Sequence, residues 1–417
     1  MSNRNFYRFL LLWGGELLSG VGSGLTSFGL SIYVLHATGR AASMGLVSLA
    51  AFLPVLLLSV PAGVLADRYD RRLLMMAGDS LSALGILYIS LCMHGGGAAL
   101  WQICLGVAVS AVFSALLEPA FRATVTDLLT EKEFSRASGL LSLAGSARYL
   151  ISPVLAGILL AVSDIQVLLL LDILTFFPTV LAAAIVRKDL SSKKAETENI
   201  SFGQSMKGGW HVIAGSRGLL VLVGVSSLIT CFMGCLQILA QPVILGFASS
   251  ATLGMAETVC ACGMLVSGLF LGARGLKGNY VGILSGSLAA AGISMVLFGL
   301  WENIGLVCVF GFLFFAMLPF ANNCLDFLVR TNIPDRLQGR VWGVIGFLSQ
   351  MGYVVAYGLA GVAADGLSDL LGTNLGRGSA WVVVIAGVLL SVTALCVYPM
   401  KSVRSLEGEH GLEAGLE

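Results

Sequence analysis

The sequence predicts an all-α membrane protein with twelve transmembrane helices in two pseudo-symmetric six-helix bundles. Three observations predict it. Hydrophobic residues make up 57% of the 417 residues and charged residues 11%, against roughly 45–50% and about 25% in soluble domains. Apolar stretches of about 20 residues, the length that crosses hydrocarbon, recur twelve times. Basic residues then fall almost entirely into alternate loops, the asymmetry that orients a multi-pass chain.

The stretches cover residues 9–35, 43–66, 73–93, 99–121, 138–162, 165–186, 218–246, 253–273, 280–300, 304–328, 341–364 and 379–399. The first is too long for a signal-peptide core and no small-residue cleavage site follows it, so it reads as a retained helix. The first and seventh carry glycines that predict bends. With the amino terminus inside, that side receives Arg4 and Arg8, Arg68, Arg71 and Arg72, Arg122 to Arg136, the basic run from Arg187 to Arg217, Arg274, Lys277, Arg330 to Arg340, Lys401 and Arg404. The outer side receives Arg40 and Arg377. Both termini are therefore expected in the cytoplasm.

One connection, Arg187 to Arg217, is long and hydrophilic. It divides the chain into an N-terminal six-helix bundle (1–186), a cytoplasmic linker (187–217), a C-terminal bundle (218–400) and a cytoplasmic tail (401–417). Matches at an offset of 200 residues, Pro119 with Pro319, Arg136 with Arg336 and Gly139 with Gly339, point to a duplicated unit. A net charge of +1, with no basic patch, gives no support to a nucleic-acid partner. The nine cysteines lie within apolar stretches, without metal or disulfide spacing, and read as small packing residues. No metal or other cofactor is expected, and the chain is expected to act as a monomer in the lipid bilayer.

Charge inside hydrocarbon costs at least about 2.5–3.5 kcal/mol per central residue, so each intramembrane ionisable group needs a partner or a use. Those predicted to be buried are Glu16, Asp79, Glu118, Asp172, Glu257 and Asp326, against the single base Arg148. Glu16 is flanked by Gly14-Gly15 and Ser19-Gly20-Val21-Gly22, where small residues admit a neighbouring helix or a cargo. It reads equally as a proton or cation site and as a structural hydrogen-bonding group. Asp79 reads as a polar anchor near the loop after the second span or as a coupling residue. Asp172 and Arg148, on consecutive spans, are expected to form a buried pair. Asn322 and Asn323 beside Asp326 are candidates for cargo contact or gating. Glu257, near an outer span end, is expected to snorkel to water.

The run from Gly63 to Arg72 holds five charges in ten residues and must be a hairpin outside the hydrocarbon. Gly63, Leu65, Asp67, Arg68, Arg71 and Arg72 match the loop Gly-x-Leu-x-Asp-Arg-x-Gly-Arg-Arg/Lys, with Asp70 replacing the second glycine. On this motif, at this loop of a twelve-span chain, the sequence resembles the major facilitator superfamily. Thr38-Gly39, the Asp79 neighbourhood, Tyr149 to Pro153, Asp172 and Gly339-Arg340-Val341 extend the likeness to bacterial macrolide efflux proteins and their siderophore-exporting relatives.

The resemblance implies a secondary exporter in the bacterial inner membrane, driven by an ion gradient, usually of protons, and working by rocking of two halves. A small amphiphilic cargo, cationic to suit the acidic residues, is expected. Export of a siderophore or other metabolite, or a non-transporting membrane sensor, are the alternatives. The motif residues Gly63, Asp67, Arg68, Arg71 and Arg72 would act as a gate, the arginines bridging to acids across the seam between halves. The fifth-span antiporter signature survives only as Gly139, Gly145, Ser152-Pro153 and Ala156-Gly157. No charge lies between Trp101 and Leu117, where many drug antiporters carry an arginine. No nucleophile–base set or phosphate loop suggests an enzyme.

Overall fold

The computed structural model describes residues 2–188, 202–276, 278–333 and 335–408. Among them, twelve helices or helix pairs are long and apolar enough to cross a membrane. The first three spans are α1 (Ser2–Thr38), α2 (Ala41–Arg68) and α3 (Arg71–His94). The fourth comprises α4 (Leu100–Ser114) with α5 (Leu117–Leu128), the fifth α6 (Glu131–Leu150) with α7 (Ser152–Val162), and the sixth is α8 (Ile165–Lys188). A short helix, α9 (Phe202–Gly215), precedes spans seven to twelve: α10 (Arg217–Leu245), α11 (Ser250–Arg274), α12 (Tyr280–Leu300), α13 (Ile304–Thr331), α14 (Asp335–Leu371) and α15 (Leu375–Val397). The helix α16 (Lys401–Gly408) follows.

Spans four and five each break just ahead of a proline, whereas Pro54, Pro61, Pro178, Pro242 and Pro319 lie inside unbroken helices. Pro119 has no N–H to offer the carbonyl of Ala115, and the fourth span breaks at Ala115-Leu116. Pro153 does the same to Tyr149, and the fifth span breaks at Ile151. The bends expected from glycines in the first span are absent as breaks, because α1 runs unbroken for 37 residues. Its glycines instead permit contact. A Cβ on Gly22 would lie 2.4 Å from Thr175 Oγ1 and 2.9 Å from Asp172 Oδ1, and one on Gly24 would lie 2.3 Å from Ser152 Oγ. Thus α8 and the α6–α7 junction close directly onto the backbone of α1. Ser152 and Thr179 fix the approach by donating to the carbonyls of Val21 (3.0 Å) and Gly15 (3.2 Å).

The chain forms two compact units. The first is Met1–Gly39, Leu46–Glu198 and Ser250–Met255; the second is Arg40–Gly45, Asn199–Ser249 and Ala256–Glu417. The short exchanged pieces are the beginnings of α2 and α11. Within the second unit, both carboxylate oxygens of Asp365 accept from the first amides of α2, Ala41 (2.8 Å) and Ala42 (3.0 Å). This caps a helix end whose amides otherwise lack acceptors. Within the first unit, Gly254 of α11 packs on the backbone of Pro153.

Internal pairing repeats between the units. In the first, span one packs on spans five and six, and span three on four and six; in the second, span seven packs on eleven and twelve, and span nine on ten and twelve. A core of Phe9, Leu12, Met75, Phe121 and Val186 lies in the first unit. Large apolar side chains such as Phe177, Leu181, Leu359 and Leu395 are exposed, the pattern of a lipid-facing surface.

The described parts of the linker and tail form helices, which their polarity does not suggest. Residues 189–201 of the linker lie outside the described residues, but α9 packs against α14 and buries Ile213 fully. Residues 409–417 and Lys277 also lie outside them, while α16 buries Val403 and Leu406. Gly218 of α10 admits it, and Asn332 donates to the carbonyl of Leu406 at 2.9 Å.

Gly22→Val is expected to force the α1–α8 contact apart and destabilise the protein by about 1–3 kcal/mol, read as a lower unfolding temperature of the purified protein. Gly20→Val, where a Cβ meets nothing within 4 Å, is the control. Equal unfolding temperatures for the two would contradict the close contact.

Candidate functional site

Four carboxylates and one arginine come together electrostatically in the first unit. Asp172 on α8 is 1% exposed and faces α1, where Gly22 leaves room for it. The Ser23 hydroxyl donates to its Oδ1 at 3.4 Å, a long hydrogen bond. Asp79 on α3 is also 1% exposed, and neither of its carboxylate oxygens has a hydrogen-bond partner. The charges of Glu16 and Asp172 both act on it. Glu16, half-buried on α1, feels Glu118 and Arg148 in turn.

The excess of acid over base expected from sequence is therefore concentrated in one place. A carboxylate buried away from water is costly when ionised unless a proton, a base or another cation neutralises it.

Three side chains are not where they were expected. Arg148 is exposed and, among the described residues, forms no ion pair with Asp172. The break at Ile151 separates the two halves of span five, and Asp172 is occupied instead by the face of α1. Arg148 still acts on both Asp172 and Glu16 through space. Glu118 and Asp326 are exposed rather than buried. Glu118 pairs with Arg122 at 2.7 Å, and Asp326 lies one turn before Arg330, whose charge acts on it. Asn322 and Asn323 share the exposed face of α13 with Asp326.

A serine ladder was not foreseen. Ser82, one turn beyond Asp79, is within hydrogen-bond distance of Ser110 (2.7 Å) and Ser114 (3.0 Å) on α4. The signal was present in the sequence as small hydroxyls at helical spacing on two adjacent spans.

The hairpin motif is organised around Arg71. Its guanidinium bonds Asp127 at 2.7 Å, the carbonyls of Ala123 (3.0 Å) and Ala66 (3.3 Å), and lies 3.9 Å from Asp67. It thus ties the end of α2 to α5. Asp70, the departure from the motif, caps α3 by accepting from the Arg72 amide (3.1 Å) and pairs with Arg187 of α8 at 2.9 Å. Arg72 is buried, while Asp67 and Arg68 are exposed and Gly63 half-buried. The bridges of Arg71 and Asp70 to Asp67, Asp127 and Arg187 stay within the first unit, whereas arginine bridges across the halves were expected.

Glu257 does not extend freely to water. It is half-buried on α11.

Residues 12–357 match the sequence profile of the Major Facilitator Superfamily. The chain belongs to that superfamily. It is thus a multi-pass membrane transporter with relatives among efflux pumps. It is 24% identical over 369 residues to macrolide efflux protein A of Streptococcus pyogenes, covering 86% of this chain and 89% of that one. It is 23% identical to the multidrug efflux pump Tap of Mycolicibacterium fortuitum (88% and 91% covered). It is 25% identical to the staphyloferrin A transporter of Staphylococcus aureus (78% and 82% covered). A bacterial homologue of the lysosomal transporter Spinster, crystallised in an inward-facing state, superposes with a TM-score of 0.72 at 14% identity, over 97% of this chain and 98% of that one. That likeness concerns the fold alone.

Within this superfamily member, Asp79 pays most for its position. Asp79→Asn replaces a carboxylate that has no hydrogen bond and is costly once ionised, and is expected to raise the unfolding temperature by about 2–5 °C at pH 9, where the parent is driven towards the charged form. A lower unfolding temperature would show that the carboxylate is satisfied.

Proposed function

We propose that the protein is a proton-coupled exporter of amphiphilic, cationic small molecules such as macrolides, working by alternating access. The observation that carries this reading is the cluster of Glu16, Asp79 and Asp172 around α1, with Arg148 as the nearby base. Acids held away from water are stable when a proton or a cation neutralises them, and exchange of one for the other is antiport. The names of the macrolide and multidrug relatives support the cargo class.

In this reading the protein sits in a bacterial inner membrane with both termini in the cytoplasm, as the distribution of basic loops favours. The Arg71 network and the Asp70–Arg187 pair hold the ends of α2, α3, α5 and α8 as one rigid body that moves as a unit. Competition for shared carboxylates fixes the sign of the pH effect: cationic cargo binds more tightly as pH rises and protons leave.

Export of an iron chelator is the second reading, favoured by the staphyloferrin A transporter among the relatives. A cargo bearing carboxylates would be disfavoured by the acid cluster.

Expression in a bacterium lacking its own efflux pumps is expected to lower erythromycin accumulation several-fold. Dissipating the pH gradient, or introducing Glu16→Gln or Asp172→Asn, should abolish the difference while membrane levels persist. Unchanged accumulation with normal expression would contradict drug export, and secretion of a siderophore in the same cells would favour the second reading.

A further inference from the structure

Three exposed cations of the second unit gather where the last span meets the tail helix. Lys401 and Arg404 lie one turn apart on α16, on the side opposite the buried Val403 and Leu406. Arg217 is exposed at the start of α10, and its neighbour Gly218 lies against the carbonyl of Ser402. Arg71, Arg122 and Arg187 are each paired with a carboxylate. Among the described residues, Arg217, Lys401 and Arg404 are not. Glu407, the acid of α16, instead accepts from the amide of Tyr280 at the start of α12.

Arg404 is pinned in place. Its Nε–H donates to the carbonyl of Tyr398 at 3.0 Å, and its guanidinium carbon lies 4.5 Å from the centre of the Tyr398 ring. The N–H groups on its two Nη atoms have no acceptor among the described residues, and they form a fork that matches a phosphate.

The ring on which Arg404 rests marks the membrane surface. Trp381, Ile385, Leu389, Val392, Leu395 and Tyr398 recur every three or four residues along α15 and its cap, and all are exposed, so one face of this helix is apolar from end to end. At 1.5 Å per residue, the rise from Trp381 to Tyr398 is about 26 Å, close to the thickness of a hydrocarbon core. Aromatic residues bound the stripe as they do at the two interfaces of a bilayer. The cations therefore stand at headgroup level beside a surface that faces acyl chains. An anionic phospholipid matches both features, whereas a free phosphate would use only the cations and an uncharged lipid only the stripe.

We propose that the corner formed by α15, α16 and the start of α10 binds an anionic phospholipid, with its phosphate on Arg404 and Lys401 beside Arg217 and an acyl chain along α15. The site contains none of the acids around α1 and depends on neither cargo nor gradient.

The test is native mass spectrometry of the full-length purified protein, which counts bound lipids and gives the affinity of the first. The probes are dioleoyl phosphatidylglycerol and dioleoyl phosphatidylcholine, alike in chains but not in net charge, with inorganic phosphate as a soluble competitor. The first phosphatidylglycerol is expected to bind at least tenfold tighter than the first phosphatidylcholine, and an excess of inorganic phosphate is expected to leave it bound. Lys401→Ala combined with Arg404→Ala should bring the two lipids within twofold of each other, while Arg122→Ala, which removes a paired cation, keeps the parent's preference. Equal affinities for the two lipids on the unaltered protein would overturn the proposal whether or not the variants fold. So would displacement by inorganic phosphate, which would assign the cations to a soluble anion, or a double variant that keeps the parent's preference.

Discussion

A carboxylate enclosed by helices, with water excluded, is the constraint on which the first unit depends. Asp172 occupies the space that Gly22 leaves, and almost no surface of it reaches solvent. The same approach puts Thr175 and Thr179 against α1, lets Ser152 bond its backbone, and holds Glu16 and Asp79 within electrostatic reach. A well-packed bundle could be built more stably with apolar residues at these positions. That the acids are there, with Asp79 lacking any hydrogen bond, is the physical reason to read them as ligands for an exchangeable positive charge.

The two units share an internal packing scheme but not a chemistry. Spans one, three, four, five and six pair as seven, nine, ten, eleven and twelve do. Yet the first unit gathers acids, while in the second Glu257 is half-buried on α11 and Tyr357 donates to Gln237 Oε1. The hairpin network belongs to the first half as well, where Arg71 gathers α2 and α5 through one side chain.

Much of the fold was legible because a bilayer imposes strong, local rules. Length and hydropathy delimit each span to within a few residues, and the intramembrane acids stand out against an apolar background. What was not legible depended on contacts between distant segments. Nothing local reveals that α1 stays continuous through its glycines while spans four and five break ahead of Pro119 and Pro153. The expected Arg148–Asp172 pair failed for the same reason, since adjacency in sequence does not fix which faces meet. The linker hid a helix because α9 is stabilised by burying Ile213 against α14, not by its own composition.

The central claim is that the acids around α1 exchange protons for cationic cargo. The most direct measurement is proton release when erythromycin binds the purified protein in weakly buffered solution near neutral pH. The account predicts release of about one proton per bound molecule, lost in Asp172→Asn or Glu16→Gln. Saturable binding with no change in bulk proton concentration would contradict it.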